Sequence, residues 1–371
     1  MRFGKTFVTI IIFITLMTLA GCGYDTEYVE VVNVWPAEGE EFDTIKEEEI
    51  SDGDKSSVIV GMVTDVGGID DESFNQSAWE GLQSLSSVNG IKTIYRESDS
   101  PEDFKENFQS IKDEGSELCW GIGFACADVL LEEAKNNPGV HYAIVDSSYE
   151  NTPENVTGLV FRAQEPSFAV GFVAASVTRS SKIGFVGGVK GEIIDQFQYG
   201  YQAGVKYAST LYGKNVEVVV EYADSFADAD KGYEIASNMY DQGCDVVYHA
   251  AGGTGTGVIE AAKDHNHYVI GVDRDQAYLA PKNVLTSALK KVDVAVELVS
   301  KSYLGGEDIG GKTLSFGMTE GAVGISEDHS NYRDEIYDAA LLVEDKIKSG
   351  EIVPPKSESE YKDFIMSMKE F

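Results

Sequence analysis

The sequence predicts an α/β protein with two lobes, each built around a doubly wound, mainly parallel sheet. From residue 57 onward, short apolar runs rich in β-branched and aromatic residues alternate with amphipathic segments of helical period. This alternation indicates βαβ units, in which a helix connects two parallel strands by a right-handed crossover. Several runs are apolar throughout, as expected for strands that helices cover on both faces. The predicted strands are residues 58–64, 92–96, 118–122, 141–145, 157–161, 182–186, 216–222, 246–249, 268–272, 284–288 and 313–317.

A break at residues 157–163 divides these strands into two series, each about the size of one domain. The segments 285–288 and 313–317 follow the second series and are predicted to carry the chain back across the gap, which gives a hinge of several strands. We therefore expect one lobe from residues 57–163 and 289–312, and a second lobe from residues 164–288 and 313–371. Two lobes joined in this way are expected to close around a ligand.

The first 22 residues are predicted to be a lipoprotein signal peptide. Arg2 and Lys5 precede an apolar run, residues 7–20, that is too short for a comfortable membrane span of ~20 residues. The run leads into Leu-Ala-Gly-Cys at residues 19–22, which resembles a bacterial lipobox, so cleavage would leave Cys22 for lipid attachment to the membrane. The alternative is an ordinary signal peptide with an incidental cysteine. Residues 23–56 are strongly acidic and without sustained periodicity, which is typical of a disordered tether.

Charge and cysteine content narrow the possible functions. The formal net charge of −34 gives a surface that repels phosphate backbones, so nucleic acid is not expected as a partner. Cys119, Cys126 and Cys244 lack the spacing of a metal site and are predicted to be buried thiols, with a Cys119–Cys126 bridge as the alternative. The five histidines form no nucleophile–base motif, so neither a catalytic residue nor a cofactor is predicted.

Two glycine-rich segments share letters with phosphate loops but lack their context. Residues 252–257, GGTGTG, follow a strand and precede a helix, but their spacing is G-x-G-x-G and no lysine closes the loop. Gly252 is therefore predicted to let backbone amides approach a ligand, and phosphate binding is the alternative. Residues 306–313 fit a Walker A pattern, yet a helix precedes them and a strand follows, which is the reverse of the required order. They are predicted to form a turn.

The most informative segment is residues 58–82, VIVGMVTDVGGIDDESFNQSAWEGL. A strand ends before Asp65, and a glycine-containing loop leads to a helix that begins near Phe74 and Asn75. Ligands of parallel sheets bind beyond the carboxyl ends of the strands. A carboxylate, an aromatic face and an amide that both donates and accepts suit a small polar ligand with a flat ring. The alternatives are an Asx turn for Asp65, helix-start packing for Phe74 and a polar first-turn residue for Asn75.

Three further positions repeat this pattern. Asp146 and Asp273 each end a predicted strand, and Phe226 lies between a strand and a helix. If the second lobe mirrors the first, Phe226 faces Phe74 across the cleft, and the two rings would sandwich one flat ligand. Packing in the core of its lobe is the alternative for Phe226.

These motifs resemble those of the basic membrane protein family, substrate-binding lipoproteins of ABC importers whose characterised members bind purine nucleosides. The resemblance implies a type I periplasmic-binding-protein fold, a ligand such as adenosine, guanosine or inosine, and an ABC permease as partner. It extends from about residue 57 to about residue 355. It is carried by TDVGGIDDESFNQSAWEGL (64–82), GIGF (121–124), AIVD (143–146), AAGGTGTGVIEAAKD (250–264), IGVDRDQ (270–276) and LTSALKKVDVAV (285–296).

The resemblance also implies roles for individual side chains. Phe74 would stack on the base, Asp146 would accept a hydrogen bond from it, and Asp273 would bind ribose. Lys290 would donate to ribose oxygens or pair with Asp273, and Lys291 is the neighbouring alternative. Other hypotheses remain open: a pentose or furanose receptor of the same fold, a nucleotide-dependent α/β enzyme, or a sensor in place of a transport receptor.

Overall fold

Two six-stranded sheets define the two lobes. The structure is a computed structural model that describes residues 57–368, so the predicted anchor Cys22 and the tether at residues 23–56 lie outside the described residues. The strands are β1 (Ile59–Val63), β2 (Lys92–Arg96), β3 (Leu118–Ile122), β4 (His141–Val145), β5 (Val156–Phe161), β6 (Lys182–Gly187), β7 (Glu217–Tyr222), β8 (Val246–Ala250), β9 (Tyr268–Asp273), β10 (Val284–Lys290), β11 (Lys312–Phe316) and β12 (Val323–Ile325). The first sheet has the order β11-β5-β4-β3-β1-β2 and the second the order β12-β10-β9-β8-β6-β7.

Helices pack on the faces of both sheets. Those of the first lobe are α1 (Phe74–Asn89), α2 (Phe104–Asp113), α3 (Ala127–Asn136) and α8 (Val292–Leu304). Those of the second lobe are α4 (Gln164–Val177), α5 (Glu192–Leu211), α6 (Ala229–Asp241), α7 (Thr254–His265), α9 (Asp334–Lys348) and α10 (Glu358–Ser367). Among residues 57–368 no helix combines the length and the apolar character that crossing a membrane requires.

The predicted α/β class and the two mainly parallel sheets are confirmed. Each of the eleven predicted strands overlaps an observed strand. The strand β12 was not predicted, because its three residues are shorter than the runs of 4–8 residues that reveal a strand in sequence. It is also the strand that breaks the parallel pattern, since it pairs antiparallel with β10.

Two expected lobe boundaries need correction. β11 was assigned to the second lobe from residue 313, but it pairs in parallel with β5 and so extends the first sheet. The chain therefore crosses between Phe316 and Val323. The boundary at residue 288 also shifts, because β10 continues to Lys290 before α8 begins on the first lobe. Both differences arise because hydrogen bonding to a neighbouring strand, rather than local sequence pattern, decides which sheet a crossing segment joins.

Burial follows the predicted pattern of apolar residues. All five residues of β3, β4 and β8 are buried, as expected for central strands covered on both faces. In α2 the buried residues are Phe104, Phe108 and Ile111, at the spacing that forms one stripe of a helix. The core therefore lies between each sheet and its helices, and leaves the ends of the strands free to form a site.

The three cysteines of the described region are buried free thiols, as predicted, and the alternative bridge between Cys119 and Cys126 is not formed. Burial raises the pKa of Cys119 to about 12 and that of Cys244 to about 11. These thiols are therefore protonated and poorly reactive near neutral pH.

The close contact between α4 and α5 depends on glycines. A Cβ atom at Gly204 of α5 would lie 1.9 Å from the carbonyl oxygen of Phe168 in α4, and one at Gly200 would lie 2.5 Å from the carbonyl oxygen of Gln164. Only residues without a side chain allow the two backbones to approach this closely. The start of α4, which follows the first crossing between the lobes, is thereby fixed against α5.

We expect the substitution Gly204→Ala to lower the free energy of unfolding by about 1–3 kcal/mol, because the added methyl group overpacks the α4–α5 contact. The higher helix propensity of alanine, worth up to ~1 kcal/mol, opposes this loss and does not cancel it. Urea denaturation followed by circular dichroism measures the change. Gly139→Ala, where a Cβ atom meets nothing within 4 Å, is the control. Equal stability of the two variants would contradict the argument.

Candidate functional site

One cavity lies between the carboxyl ends of the two sheets. It is lined by all eight residues predicted from the sequence: Asp65, Phe74, Asn75, Asp146, Phe226, Gly252, Asp273 and Lys290. Its free volume is about 60 Å³, whereas ligand pockets typically measure about 300–1,000 Å³. The lobes are thus closed on a small space, and a ligand with a ring system requires them to separate or the lining side chains to move.

The loop between β1 and α1 is organised by two aspartates. Asp65 accepts hydrogen bonds from the Gly67 amide at 2.9 Å and from Asn75 Nδ2 at 2.7 Å. The first of these is the Asx-type contact considered as an alternative, and Asp65 makes it while also lining the cavity. Asp71, which was not predicted, accepts from the Asn75 amide at 2.8 Å and from the Gln76 amide at 3.1 Å. It satisfies amides at the start of α1, a position where acidic residues are favoured.

A buried ion pair spans the two lobes. Lys290, the last residue of β10, donates to Oδ2 of Asp146, which follows β4, and the side chains are only 2 % and 7 % exposed. The alternative pairing of Lys290 with Asp273 is therefore not the contact observed. The Lys290 ammonium also lies 4.5 Å from the ring centre of Phe74, within the range of a cation–π interaction. Lys291 is exposed and does not line the cavity.

Asp273, the last residue of β9, also lines the cavity and contacts the first lobe. Its Oδ2 accepts a hydrogen bond from Ser73 Oγ at 2.5 Å, which connects the second lobe to the residue before α1. Burial raises the pKa of Asp273 to about 6, although the charge of Lys290 and the Ser73 hydrogen bond lower it. Burial likewise raises the pKa of Asp65 to about 6, against the hydrogen bonds from Gly67 and Asn75. Removal from water is the dominant cause in both cases.

The aromatic lining is richer than the sequence predicted. Phe226 meets Phe124 edge-on, with ring centres 6.3 Å apart and an interplanar angle of 76°. Phe124 was not named as a site residue; it is the second residue after β3, from which Gly123 separates it. Phe197, in the first half of α5, also lines the cavity and was missed. Phe74 and Phe226 share the cavity, but the ring that contacts Phe226 in the closed cleft is that of Phe124.

The glycine loop serves packing more than ligand contact. Gly252 lines the cavity with φ = 53°, a left-handed conformation that favours glycine. A Cβ atom at Gly255 would lie 2.2 Å from the ring of His249, and one at Gly257 would lie 1.8 Å from the carbonyl oxygen of Ala229. The later glycines therefore permit close packing of α7. The second glycine-rich segment connects α8 to β11, which confirms that it is a helix-to-strand turn.

Contacts outside the cavity hold the cleft closed on the side of α1. Arg274 Nη1 donates to Glu80 Oε1 at 3.1 Å, and Gln276 Nε2 donates to the Glu72 carbonyl oxygen at 2.9 Å. The hydroxyl group of Tyr278 donates to the Glu72 carboxylate. In each pair one residue belongs to the first lobe and the other to the segment after β9. These contacts must break when the cleft opens.

The side chains that line the cavity are arranged in a way that suits the binding of a small ligand. Carboxylate oxygens from both lobes converge on a space lined by aromatic rings, so the site offers strong acceptors together with flat apolar surfaces. Within residues 57–368 no group of three or more His, Cys, Asp or Glu side chains is placed to hold a metal ion.

We expect the stability of Asp273→Asn relative to the wild-type protein to depend on pH. The pKa of Asp273 rises from 3.8 in the unfolded chain to about 6 in the folded protein. Its contribution to stability is therefore complete below pH 3.8 and is lost as the pH rises through 6. The variant should gain about 1–3 kcal/mol relative to wild type between pH 4 and pH 7.5, measured by urea denaturation. Asp128→Asn, at an exposed position outside the cavity, controls for the loss of one aspartate. A pH-independent difference would contradict the prediction.

Comparison with known proteins identifies the family. The sequence profile described as "ABC transporter substrate-binding protein PnrA-like" matches residues 58–358. Basic membrane protein A of Borreliella burgdorferi is 40% identical over 317 residues, which cover 84% of this chain and 91% of that protein. The CD4+ T-cell-stimulating antigen of Listeria innocua is 40% identical over 329 residues, which cover 82% of this chain and 91% of that protein.

A solved structure shows the same architecture. The ABC transporter solute-binding protein from Aeropyrum pernix K1 superposes with a TM-score of 0.76 at 26% identity, covering 84% of this chain and 97% of that chain. The two lobes thus form a type I periplasmic-binding-protein fold. The chain belongs to the family of PnrA-like substrate-binding proteins of ABC transporters, which bind solutes and are not enzymes.

Proposed function

We propose that this protein binds purine nucleosides outside the cytoplasm and delivers them to its ABC permease. Membership of the family already implies a small-molecule ligand and a permease partner. The nucleoside assignment goes further, and it rests on the chemistry of the cavity between the lobes.

The observation that carries the proposal is the combination of buried carboxylates with aromatic rings in one cavity. Asp65, Asp146 and Asp273 present acceptor oxygens, and Phe74 and Phe226 present apolar faces. A nucleoside matches both features, since its hydroxyl and amino groups donate hydrogen bonds and its base is flat. A sugar alone would use the carboxylates and leave much of the aromatic surface without a partner.

The charge of the cavity favours an uncharged ligand over a nucleotide. Asp65, Asp71, Asp146 and Asp273 line the cavity, and Lys290 is its only lining cation among the described residues. Lys290 is already paired with Asp146. A phosphate group would therefore meet unneutralised carboxylates at low dielectric, where like charges repel strongly.

The contacts support a division of roles between the lobes. Lys290 engages Oδ2 of Asp146, and we assign the other oxygen, Oδ1, to an amino or ring N–H group of the base. Asp273 uses Oδ2 for Ser73, and we assign its Oδ1 to a ribose hydroxyl. Asn75 Nδ2 donates to Asp65, and both side chains line the cavity. In this arrangement one carboxylate from each lobe contacts the ligand, so binding stabilises the closed state.

We further propose that Cys22 carries a lipid that anchors the protein at the outer face of the cytoplasmic membrane. The support is the lipobox-like Leu-Ala-Gly-Cys sequence after a short apolar run. The acidic residues 23–56 would then connect the anchor to the two lobes, and their negative charge would be repelled by anionic lipid.

A ligand panel tests the nucleoside assignment. We expect calorimetry to detect adenosine, guanosine or inosine binding, much weaker binding of free bases and ribose, and still weaker binding of adenosine 5′-monophosphate. The phosphate lowers affinity because it adds negative charge beside the cavity carboxylates. Asp273→Ala should weaken adenosine far more than adenine, since its partner is the sugar. Tight binding of ribose without any nucleoside would replace this proposal with a sugar receptor.

Stacking on the two phenylalanines is tested by substitution. We expect Phe74→Ala and Phe226→Ala each to weaken nucleoside binding by ~1–3 kcal/mol, roughly five- to 150-fold, because a π-face contact is lost. Phe74→Trp should retain much of the affinity. Phe364→Ala, which removes a ring packed 5.8 Å from Phe168 outside the cavity, is the control and should lower stability without changing affinity. Alanine variants at residues 74 and 226 that bind normally would exclude stacking.

The lipid anchor is tested in bacterial cells. Cys22→Ala should move the protein out of the membrane fraction or block its maturation, because the thiol that carries the lipid is absent. Cys119→Ala, which changes a buried thiol of the first lobe, is the matched control and should remain membrane-bound. Detection of diacylglycerol at the N-terminus of the Cys22→Ala protein by mass spectrometry would reject the proposal.

A further inference from the structure

The strands from which the chain crosses between the lobes end in residues that contact one another. The strand β5 ends at Phe161, β10 ends at Lys290 and β11 ends at Phe316. The rings of Phe161 and Phe316 pack with their centres 5.6 Å apart. The Lys290 ammonium lies over the Phe161 ring, 5.0 Å from its centre. The last residues of the three crossing strands therefore form one cluster, in which Phe161 contacts both other members.

The buried Lys290 ammonium lies among aromatic rings as well as beside Asp146. Its distances to the ring centres of Phe74, Phe161 and Phe197 are 4.5 Å, 5.0 Å and 6.0 Å, all within the range of cation–π interactions. Moving an ammonium group out of water is costly, and the negative faces of aromatic rings offset part of that cost. The position of the ammonium therefore depends on the rings in addition to its carboxylate partner.

Phe161 differs from the other two rings because it does not line the cavity. Phe74 and Phe197 are lining residues, whereas Phe161 is only 3 % exposed and lies behind Lys290 at the end of β5. Lys290 belongs to the second sheet and Phe161 to the first, so a rotation of the lobes changes the distance between them. An attraction between these two side chains therefore favours the closed arrangement without any contact between Phe161 and the ligand.

We propose that Phe161 is a positioning residue of the ligand site, which acts through Lys290. Its π face holds the Lys290 ammonium beside Asp146, and its packing on Phe316 connects that ammonium to the other crossing strands. Ligand affinity then depends on a side chain that the ligand does not touch. This inference rests on the proposed function, because the affinity in question is that for the nucleoside. A leucine at residue 161 would be apolar too, but it would not attract the ammonium.

Fluorinated phenylalanines at residue 161 test the proposal in the full-length chain. Fluorine atoms draw electron density from the ring face and weaken its attraction for a cation, while the size of the ring changes little. As the ring carries one, two and then three fluorine atoms, adenosine affinity measured by calorimetry should fall stepwise, by about two- to thirty-fold over the series. Phe161→Leu should cause a loss of the same order. The same series at Phe104, which is buried in the first lobe on α2, is the control and should show no stepwise loss.

A second background tests whether the effect requires the ammonium. The free energy of unfolding, measured by urea denaturation without ligand, is compared for the series at residue 161 in the wild-type chain and in Lys290→Gln. Neither this free energy nor any adenosine affinity that remains should follow the number of fluorine atoms in Lys290→Gln, because the cation is absent. A ring that serves only apolar packing would respond equally in both backgrounds.

The outcomes separate this proposal from the nucleoside assignment. If adenosine binds and its affinity does not depend on the number of fluorine atoms at residue 161, the role of Phe161 is rejected and the nucleoside assignment stands. An equal stepwise loss in the Phe104 series or in Lys290→Gln also rejects it. If no nucleoside binds to the wild-type protein, the nucleoside assignment fails, and the unfolding measurements decide: a stepwise loss that requires Lys290 supports the role of Phe161, and its absence rejects it. If Lys290→Gln or Phe161→Leu does not fold, the comparison with the Phe104 series remains decisive.

Discussion

The ion pair between Asp146 and Lys290 joins the two sheets at the base of the cleft. Asp146 follows a central strand of the first sheet, and Lys290 ends a strand of the second. Removing each charge from water costs several kcal/mol, so each side chain tolerates burial only while the other is present. The ends of the two strands are therefore held together by electrostatics as well as by the chain that crosses near them. The rings of Phe74 and Phe161 also lie near the pair, with their centres 4.5 Å and 5.0 Å from the Lys290 ammonium.

The two strand-end aspartates show why the site lies where it does. Asp146 and Asp273 occupy corresponding places in the two sheets, and both have left-handed backbone conformations, with φ of 62° and 65°. Aspartate adopts this conformation more readily than most residues, but it remains unfavourable. Such conformations persist where the surrounding structure enforces them, and they concentrate at functional sites. Here the turn directs one carboxylate from each lobe toward the same space.

The sequence predicted the parts of this protein that depend on local pattern. Buried parallel strands such as β4 are continuous apolar runs. An aspartate directly after such a run must lie at the carboxyl end of the strand, where ligands bind. Asp146 and Asp273 could be identified for this reason. The partner of Lys290 could not be predicted, because the choice between two nearby carboxylates depends on distances set by the packing of both lobes. Phe124 was missed because an aromatic residue after a strand carries no mark that separates a cavity wall from a core. The sheet that β11 joins was also unpredictable, since pairing over a long sequence separation leaves no local signal.

The pairing of β11 with β5 has a consequence for how the chain folds. β11 follows strands β6–β10 of the second lobe in the chain, so it can complete the first sheet only after those strands have been synthesised. Until then β5 is an edge strand with unpaired backbone groups, which is a known starting point for aggregation. Contacts of such long sequence separation also slow folding, because the loop entropy is lost before the contact forms. The first sheet therefore cannot be completed while only residues 57–163 have been synthesised. A chain that remains unfolded until its synthesis is complete avoids exposing the unpaired edge of β5.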